Sequence, residues 1–501
     1  MKLSISTKTS MSSILRPLIL TVCLLAVAAP QANAVSVVKI AAGYCHSLYI
    51  TDDGTLWATG NNDSGELGDG TTTKRTTPDQ VAVGVLTVAT GGKHSLFIKD
   101  DGTLWAMGLN DYSQLGDDTT VNRSSPVKVA EGVSAAAAGY EHSLFIKADK
   151  SLWAMGRNKY GQLGDASIVS TQSTPVQVAT DVIAVAAGRD HSLFLKSNGT
   201  LWGMGSNDAG QLGLASIDDP FTPVQIATDV IAIAAGWNHS LFVKNDGTLW
   251  TMGWNASGQL GNGTNATQST ATQITTNVSP VIAANWNHSL FVKNDNTLWA
   301  MGNNDDGRLG DGTTTSHNTP VKVTTDVSAV AAGWYHSLFL KSDGSLWGMG
   351  SNILGQLGAS ALLNQNSIPV YIAGDTVPII ITHPVSQPVT VGGLVTFGVV
   401  AAGPNPTYQW QKNNVDIPGA TNSTYTISTV QQSDAGSYTV IVGNMLGSVT
   451  SKVAVLTVNT GGNNGNNSSG GGGGGAPSLL WLGAVGVMFA LRSVRKFQAL
   501  F

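Results

Sequence analysis

The chain has 501 residues, a formal net charge of −5, only 11% charged side chains and 59 glycines. That length exceeds what a single hydrophobic core organises, so more than one folding unit is expected. No basic stripe is present, which excludes a protein built to grip the phosphate backbone of a nucleic acid.

Residues 1–34 read as a signal peptide. Lys2, Lys8 and Arg16 precede an apolar run from Leu18 to Ala29, and Ala32-Asn33-Ala34 fits the small-residue cleavage rule. The run is too short to span a bilayer as an ordinary helix. An exported protein is therefore expected, at the cell surface, in the outer membrane or periplasm, or released. Removing this segment leaves one thiol, Cys45, so core burial must hold the mature chain without internal disulfides.

Between residues 35 and 376 a block of about 48 residues returns seven times. Its anchor is His-Ser-Leu, at His46, His94, His142, His191, His239, His288 and His336. A Trp in Leu-Trp-x-x-Gly follows each: Trp57, Trp105, Trp153, Trp202, Trp250, Trp299 and Trp347. In the fourth copy the apolar pieces are 182–188, 191–196, 200–205 and 223–226, each bounded by Gly, Asn or Asp, as strands are. Asp53-Gly54, Asp101-Gly102, Asn198-Gly199, Asp246-Gly247 and Asp343-Gly344 suit tight hairpins between the second and third pieces. No segment holds a helical apolar period. Four short antiparallel strands repeated radially make an all-β, seven-bladed β-propeller. The strand near Val37 to Ala42 is expected to complete a blade with the last strand near Pro369 to Ile372.

Each copy also carries Gly-x-Asn-x-x-Gly-Gln-Leu-Gly or a near variant, as in 205–213 and 253–261. Together with Ala-Ala-Gly-x-x-His-Ser-Leu, this resembles the regulator of chromosome condensation repeat family, in phase over about 340 residues. The resemblance implies a seven-bladed propeller.

After Asp375 the period stops. Residues 377–458 bring new strand-like runs, with Trp410 11 residues after Val399 and Asp434-Ala-Gly-Ser-Tyr438 ahead of the Tyr438 strand. This resembles an immunoglobulin-like β-sandwich, which implies Trp410 as the core Trp, Tyr438 at the tyrosine corner, and Val399 and Val440 in place of the usual cysteines. Residues 459–475 form a Gly/Asn/Ser linker. Residues 476–501 hold a short apolar run with a basic end at Arg492, Arg495 and Lys496. That pattern resembles bacterial surface sorting tails and gives a membrane attachment unless it is processed.

No nucleophile motif, zinc-protease helix, P-loop or dinucleotide fingerprint appears, so the chain is read as non-enzymatic, with no cofactor and no metal. Seven symmetric histidines are expected to bond backbone rather than ligate a metal, because a metal site breaks repeat symmetry. The seven Leu-Trp tryptophans are expected to pack between blades. Asn303 to Gly307 with Asp311 lacks the spacing of a calcium loop and reads as turn chemistry.

In a four-stranded blade the first-to-second and third-to-fourth loops share one face. That face collects Tyr44, Tyr140, Trp237, Trp286, Trp334 and Tyr335 from the first loop, and Tyr112, Tyr160 and Trp254 from the second, beside Arg157. Aromatic side chains dominate binding hot spots and also stack on sugars. These nine residues are the expected partner-binding set, for a protein or a glycan, on a monomeric cell-surface recognition or adhesion protein. Changing Trp237, Trp286 and Trp334 to Ala is expected to spare the fold and abolish binding. A secreted enzyme inhibitor resembling beta-lactamase inhibitory protein II is the alternative. Guanine nucleotide exchange, implied by the repeat family, ranks third, because the third-to-fourth connections look alike in length and none stands out as a wedge.

Overall fold

The computed structural model describes residues 35–460 except 168–169, 215, 217, 359–363, 375–377, 404–405 and 445–446. The signal peptide at 1–34, nearly all of the linker at 459–475 and the tail at 476–501 lie outside the described residues.

Seven four-stranded antiparallel sheets follow one another along the described chain, over 37–82, 85–130, 133–179, 182–227, 230–275, 278–324 and 327–373. Each is a blade built in sequence order, as four strands joined by tight turns must be. In blade four they are Val182–Ala187, His191–Lys196, Leu201–Gly205 and Val224–Ala227. The second strands are buried on both faces except at the terminal lysine, because a neighbouring blade covers each side. Between blades three and four, Leu144, Ile146 and Leu152 meet Phe194 and Met204 of the next sheet, with Trp202 packed against them. The Leu-Trp tryptophans thus do pack between blades, each with its indole N–H on a Thr or Ser hydroxyl, as in Trp105 to Thr103 at 2.9 Å.

The ring closes without a shared blade. Val37–Ala42 pairs with His46–Thr51 of its own sheet, and Gln365–Ala373 pairs with Leu346–Ser351. The expected mixed blade is therefore not formed: the chain has enough strands for seven complete sheets, and closure is by packing of blade seven on blade one. Val37 and Tyr49 share a core with Leu338, Leu340 and Leu346.

The His-Ser-Leu anchor makes the seam. Each imidazole Nε2 meets the Ser hydroxyl of the next blade at 2.8–3.0 Å: His46 on Ser95, His94 on Ser143, His142 on Ser192, His191 on Ser240, His239 on Ser289, His288 on Ser337 and His336 on Ser47. The last pair joins residues 289 apart and shuts the circle. Each Ser hydroxyl donates to a backbone carbonyl of the preceding blade, as Ser95 does to Glu66 O at 2.8 Å. With the serine proton committed there, the imidazole must donate from Nε2, which leaves Nδ1 unprotonated and without a partner. The expected backbone bond of these histidines is thus replaced by a side-chain relay. Glycine makes room for it: a Cβ on Gly91 would lie 2.5 Å from His94 Cε1 and 2.3 Å from Gly139 O.

Residues 379–459 form three further sheets. Ile379–Thr382 pairs with Val400–Ala402, and Val395–Gly398 with Thr424–Ile427. The third sheet runs Gln387–Thr390, Ala454–Asn459, Gly436–Asn444, Thr407–Lys412, Val415–Asp416, with Gly447–Thr450 beside Gly436–Asn444. They enclose their own core of Val395, Phe397, Val399, Trp410, Tyr438 and Val440.

Candidate functional site: the loop face of the propeller

Two loops of every blade emerge together. The backbone N–H that follows the third strand donates to the carbonyl just before each ring histidine, as in Leu109 to Lys93 O at 2.8 Å and Trp254 to Asn238 O at 2.7 Å. The second-to-third hairpins lie at the other end, where Gly54 O accepts from Val85 N at 2.9 Å. The repeat's polar signature builds these loops. Asn110 Oδ1 accepts from Leu115 N at 2.9 Å, and Gln114 Oε1 accepts from Tyr112 N at 3.0 Å. The same pair recurs as Asn255 with Leu260 and Gln259 with Ser257.

Six of the nine expected aromatics converge over the channel mouth. Trp334 is their hub, with ring centroids 4.1 Å from Tyr44, 4.4 Å from Trp237, 4.2 Å from Trp286, 5.6 Å from Tyr140 and 6.4 Å from Tyr335. Trp334 is only 8% exposed, while the five around it are half-buried. Trp334 is thus a plug in the cap rather than an exposed contact, because it receives edges and faces from five rings at once. Burial raises the Tyr44 and Tyr140 hydroxyl pKa values, so both stay protonated at neutral pH. Beneath the cap, Gly91, Gly139, Gly188, Gly236 and Asn285 line a channel with a volume of about 20 Å³. That is room for on the order of one water, far below a ligand pocket of roughly 300 Å³ or more.

The other three stand further out. Arg157 lies over the Tyr112 and Tyr160 rings, at 4.9 and 5.9 Å, and is held by the Glu141 carboxylate. Trp254 is 42% exposed. The sequence reading missed three apolar residues on the same loops, Val121, Phe221 and Ile353, which are 58%, 38% and 63% exposed. An apolar side chain inside a polar loop was the available signal. Phe221 also marks a difference in loop length. Blade four's last strand is only Val224–Ala227, so its connection, 206–223, is longer than the others. Pro220 lacks the N–H at the position where blade three pairs Gln172 with Gly156, whereas proline at the position of Pro223 recurs inside other last strands as Pro126 and Pro175. Phe221 lies over blade three's loop, where a Cβ on Gly161 would come within 2.6 Å of Phe221 Cα.

Blade six departs most from the repeat. Asn285 stands where the other copies have Gly; its amide donates to Ala332 O at 3.0 Å and its carbonyl accepts from Trp286 N at 2.8 Å. Trp286 is thereby held at φ +31°, a strained value for an aromatic residue. Arg308 replaces the loop glutamine. Its Nη1 donates to Trp334 O at 2.6 Å, its guanidinium lies 5.3 Å from the Tyr335 ring centroid, and it pairs with Asp306. The acidic run nearby is engaged by its own loop: Asp311 accepts from Asn304 at 3.1 Å, from Thr313 N at 2.9 Å, and meets His317 Nε2 at 2.8 Å. Among the described residues no three His, Cys, Asp or Glu side chains gather as a metal site would require.

The geometry is a broad, mixed-polarity contact surface over a closed channel, suited to binding. Comparison with known proteins bears on the fold that carries it. Regulator of chromosome condensation (RCC1) repeats match residues 37–66, 85–114 and 133–162 in one frame, and 53–98 and 101–146 in another. Among solved structures, human WBSCR16 is 24% identical, with 61% of this chain and 87% of that one covered and a TM-score of 0.55. Prp20p from Saccharomyces cerevisiae, described with its binding properties to Gsp1p and histones, is 24% identical over 65% of this chain and 87% of that one, with a TM-score of 0.58. At this identity both show the fold alone. Endoglucanase C of Cellulomonas fimi is 36% identical over 88 residues, which is 17% of this chain and only 8% of that enzyme. The RCC1-like domain description matches residues 168–442, running past the last blade and covering more than half of the sequence, and the chain belongs to that family of β-propellers.

Proposed function

We propose that this chain is a non-catalytic, exported recognition or adhesion protein of the bacterial cell surface, which grips a partner protein through the loop face of a seven-bladed propeller. The observation that carries the reading is the aromatic cap, with Trp286 held in a strained conformation to complete it. Strain persists where surrounding structure enforces it, and such sites cluster at binding and switch positions. The half-buried Tyr112 and Tyr160, with the exposed Trp254, Phe221 and Ile353, give that cap an apolar border. Prp20p, of the same fold, is described with protein partners, which favours a protein over a glycan here.

The remaining modules fit the same role. Residues 377–458 serve as an immunoglobulin-like spacer: Trp410 and Tyr438 share its core, the Tyr438 hydroxyl donates to Asp434 O at 2.8 Å, and Val399 and Val440 fill the place of a disulfide. The signal peptide, glycine linker and sorting tail would deliver the protein and hold it outside the cell.

The test is capture of surface proteins by cross-linking with the full exported chain and two variants. The triple variant Tyr112→Ala, Tyr160→Ala, Trp254→Ala should keep its unfolding midpoint and lose at least about tenfold in capture. Trp334→Ala should instead lose about 3–5 kcal/mol of stability, as expected for a buried aromatic. Capture by the triple variant equal to wild type would reject the loop face as the binding surface. Fractionation with mass mapping of both termini tests export.

A further inference from the structure

We propose that the grooves between blades, on the outer rim and apart from the loop face, bind an acidic polysaccharide, one uronate sugar to a groove. The groove between blades three and four has a volume of about 520 Å³ and is lined by the edge-strand segment 177–180, Phe194, Lys196, Trp202 and Pro223. The next groove, about 390 Å³, repeats it with segment 225–228, Phe242, Lys244 and Trp250. In each, a half-exposed indole lies beside the buried Phe of the neighbouring strand, with ring planes 8° and 3° apart. The lysine ammonium stands over that indole, 4.9 Å and 5.0 Å from the ring centroid.

These parts suit a sugar acid. The indole offers a flat apolar face to the C–H face of a pyranose once the flexible lysine stem swings off the ring to meet the carboxylate. The ammonium offers a charge-assisted bond to a carboxylate. The edge strand offers backbone groups, unused by its own sheet, to ring hydroxyls. Charge selects the acidic class. Among the described residues the one Lys–carboxylate ion pair is Lys128 with Glu131, so neither groove lysine has an anion of the protein within ion-pair range.

The arrangement recurs around the disc, with Lys99 over Trp105, Lys147 over Trp153 and Lys293 over Trp299 at 5.1, 4.4 and 4.3 Å. Two blades depart from it: blade seven keeps the pair, with Lys341 5.3 Å from the Trp347 centroid, but closes off the indole, and blade one lacks the lysine. Tyr371 packs edge-on against Trp347 at 5.8 Å and buries it, and blade one has Thr51 in place of the lysine, bonded to Trp57 Nε1 at 3.3 Å. Repeated weak sites favour a polymer, because linked sugars bind with avidity that single ones lack.

The experiment is affinity electrophoresis of the full chain in gels containing polygalacturonate, or highly methyl-esterified polygalacturonate as the uncharged counterpart. Wild type should be retarded only by the acidic polymer. Lys196→Gln with Lys244→Gln removes two ammoniums and keeps the Trp–Phe stacking, and should weaken retardation at least about tenfold. Lys74→Gln with Lys150→Gln, two exposed hairpin and loop positions, makes the same change in net charge and should bind as wild type. The proposal is overturned by no retardation in the acidic gel, by equal retardation in both gels, or by equal effects of the two double variants. The triple loop-face variant should bind the polymer normally, so failure of one surface does not entail failure of the other.

Discussion

Lowering the pH from 7.5 to 5.5 should remove most of the propeller's stability, and the histidine ring is the reason. Burial holds His46, His94, His142, His239 and His336 down at about 3, His191 at about 4, and His288 well below the ordinary 6.5. An unfolded chain takes up protons at these imidazoles below 6.5, whereas the folded ring does so only near 3. In that window the unfolded state binds more protons, so the stabilisation is complete above about 6.5 and is lost as pH falls. One pH unit below 6.5 costs about 1.4 kcal/mol per histidine, so at pH 5.5 the seven together remove on the order of 10 kcal/mol. A folded domain holds only about 5–15 kcal/mol. Burial raises the Glu66, Asp190 and Asp219 carboxyls, which oppose this trend, but they are three groups against seven. Urea unfolding followed by tryptophan fluorescence at pH 7.5, 6.5 and 5.5 reads the effect directly. The midpoint should drop steeply, with several protons bound per molecule unfolded, and His94→Gln should lower that number by about one. Equal unfolding free energies at pH 7.5 and 5.5 would refute the reasoning, since the imidazoles would then titrate as freely in the ring as in solution.

Three further outcomes follow from local geometry. Gly91→Ala drives a Cβ against Gly139 O and the His94 ring, and should cost about 3 kcal/mol in chemical unfolding. Gly132 meets nothing within 4 Å but sits at φ +66°, where Asp181, Asp229, Asn277 and Asp326 occupy the matching turns; Gly132→Asn should therefore change stability by less than about 0.5 kcal/mol. Tyr438→Phe removes the hydroxyl bond to Asp434 O and should lower the stability of the 377–458 unit by about 1 kcal/mol, seen as a shift in its own calorimetric transition.

The strand pattern was readable because each blade is local: four apolar runs, Asp-Gly turns and a fixed period are properties of neighbouring residues. What escaped was long-range. His94 finds its partner in Ser143, 49 residues on, and no local pattern says that a histidine will choose the next unit's hydroxyl over the backbone. Closure of blade seven on blade one depends on residues 289 apart. The loop face was placed correctly from the alternation of loops, yet the depth of each aromatic was not. Trp334 and Trp254 look alike as tryptophans in polar loops; only the convergence of seven first loops on one axis buries the first and leaves the second outside. Phe221 was missed because a shortened strand, not a longer repeat, gives it its loop.

In a repeated fold, what every copy keeps buried at its seams is spent on holding the copies together, and what one copy changes there is free to serve something else. The seven His–Ser pairs and the Asn clasps belong to the first kind. Blade six supplies most of the second. It replaces a glycine by Asn285, a loop glutamine by Arg308, and the Arg75 and Arg123 of blades one and two by His317, each paired to the aspartate of its loop. The first two converge on one neighbour: Asn285 bonds Ala332 O, Arg308 bonds Trp334 O, and Trp286, strained between them, packs on the Trp334 ring. A regular blade would put a small residue and a neutral amide there; Trp334 would lose the Arg308 bond to its carbonyl, and Trp286 would lose the Asn285 clasp that holds its ring on Trp334. The departures in blade six are thus coupled through blade seven's tryptophan, which is the physical ground for reading the cap as a built surface rather than as scattered aromatic residues.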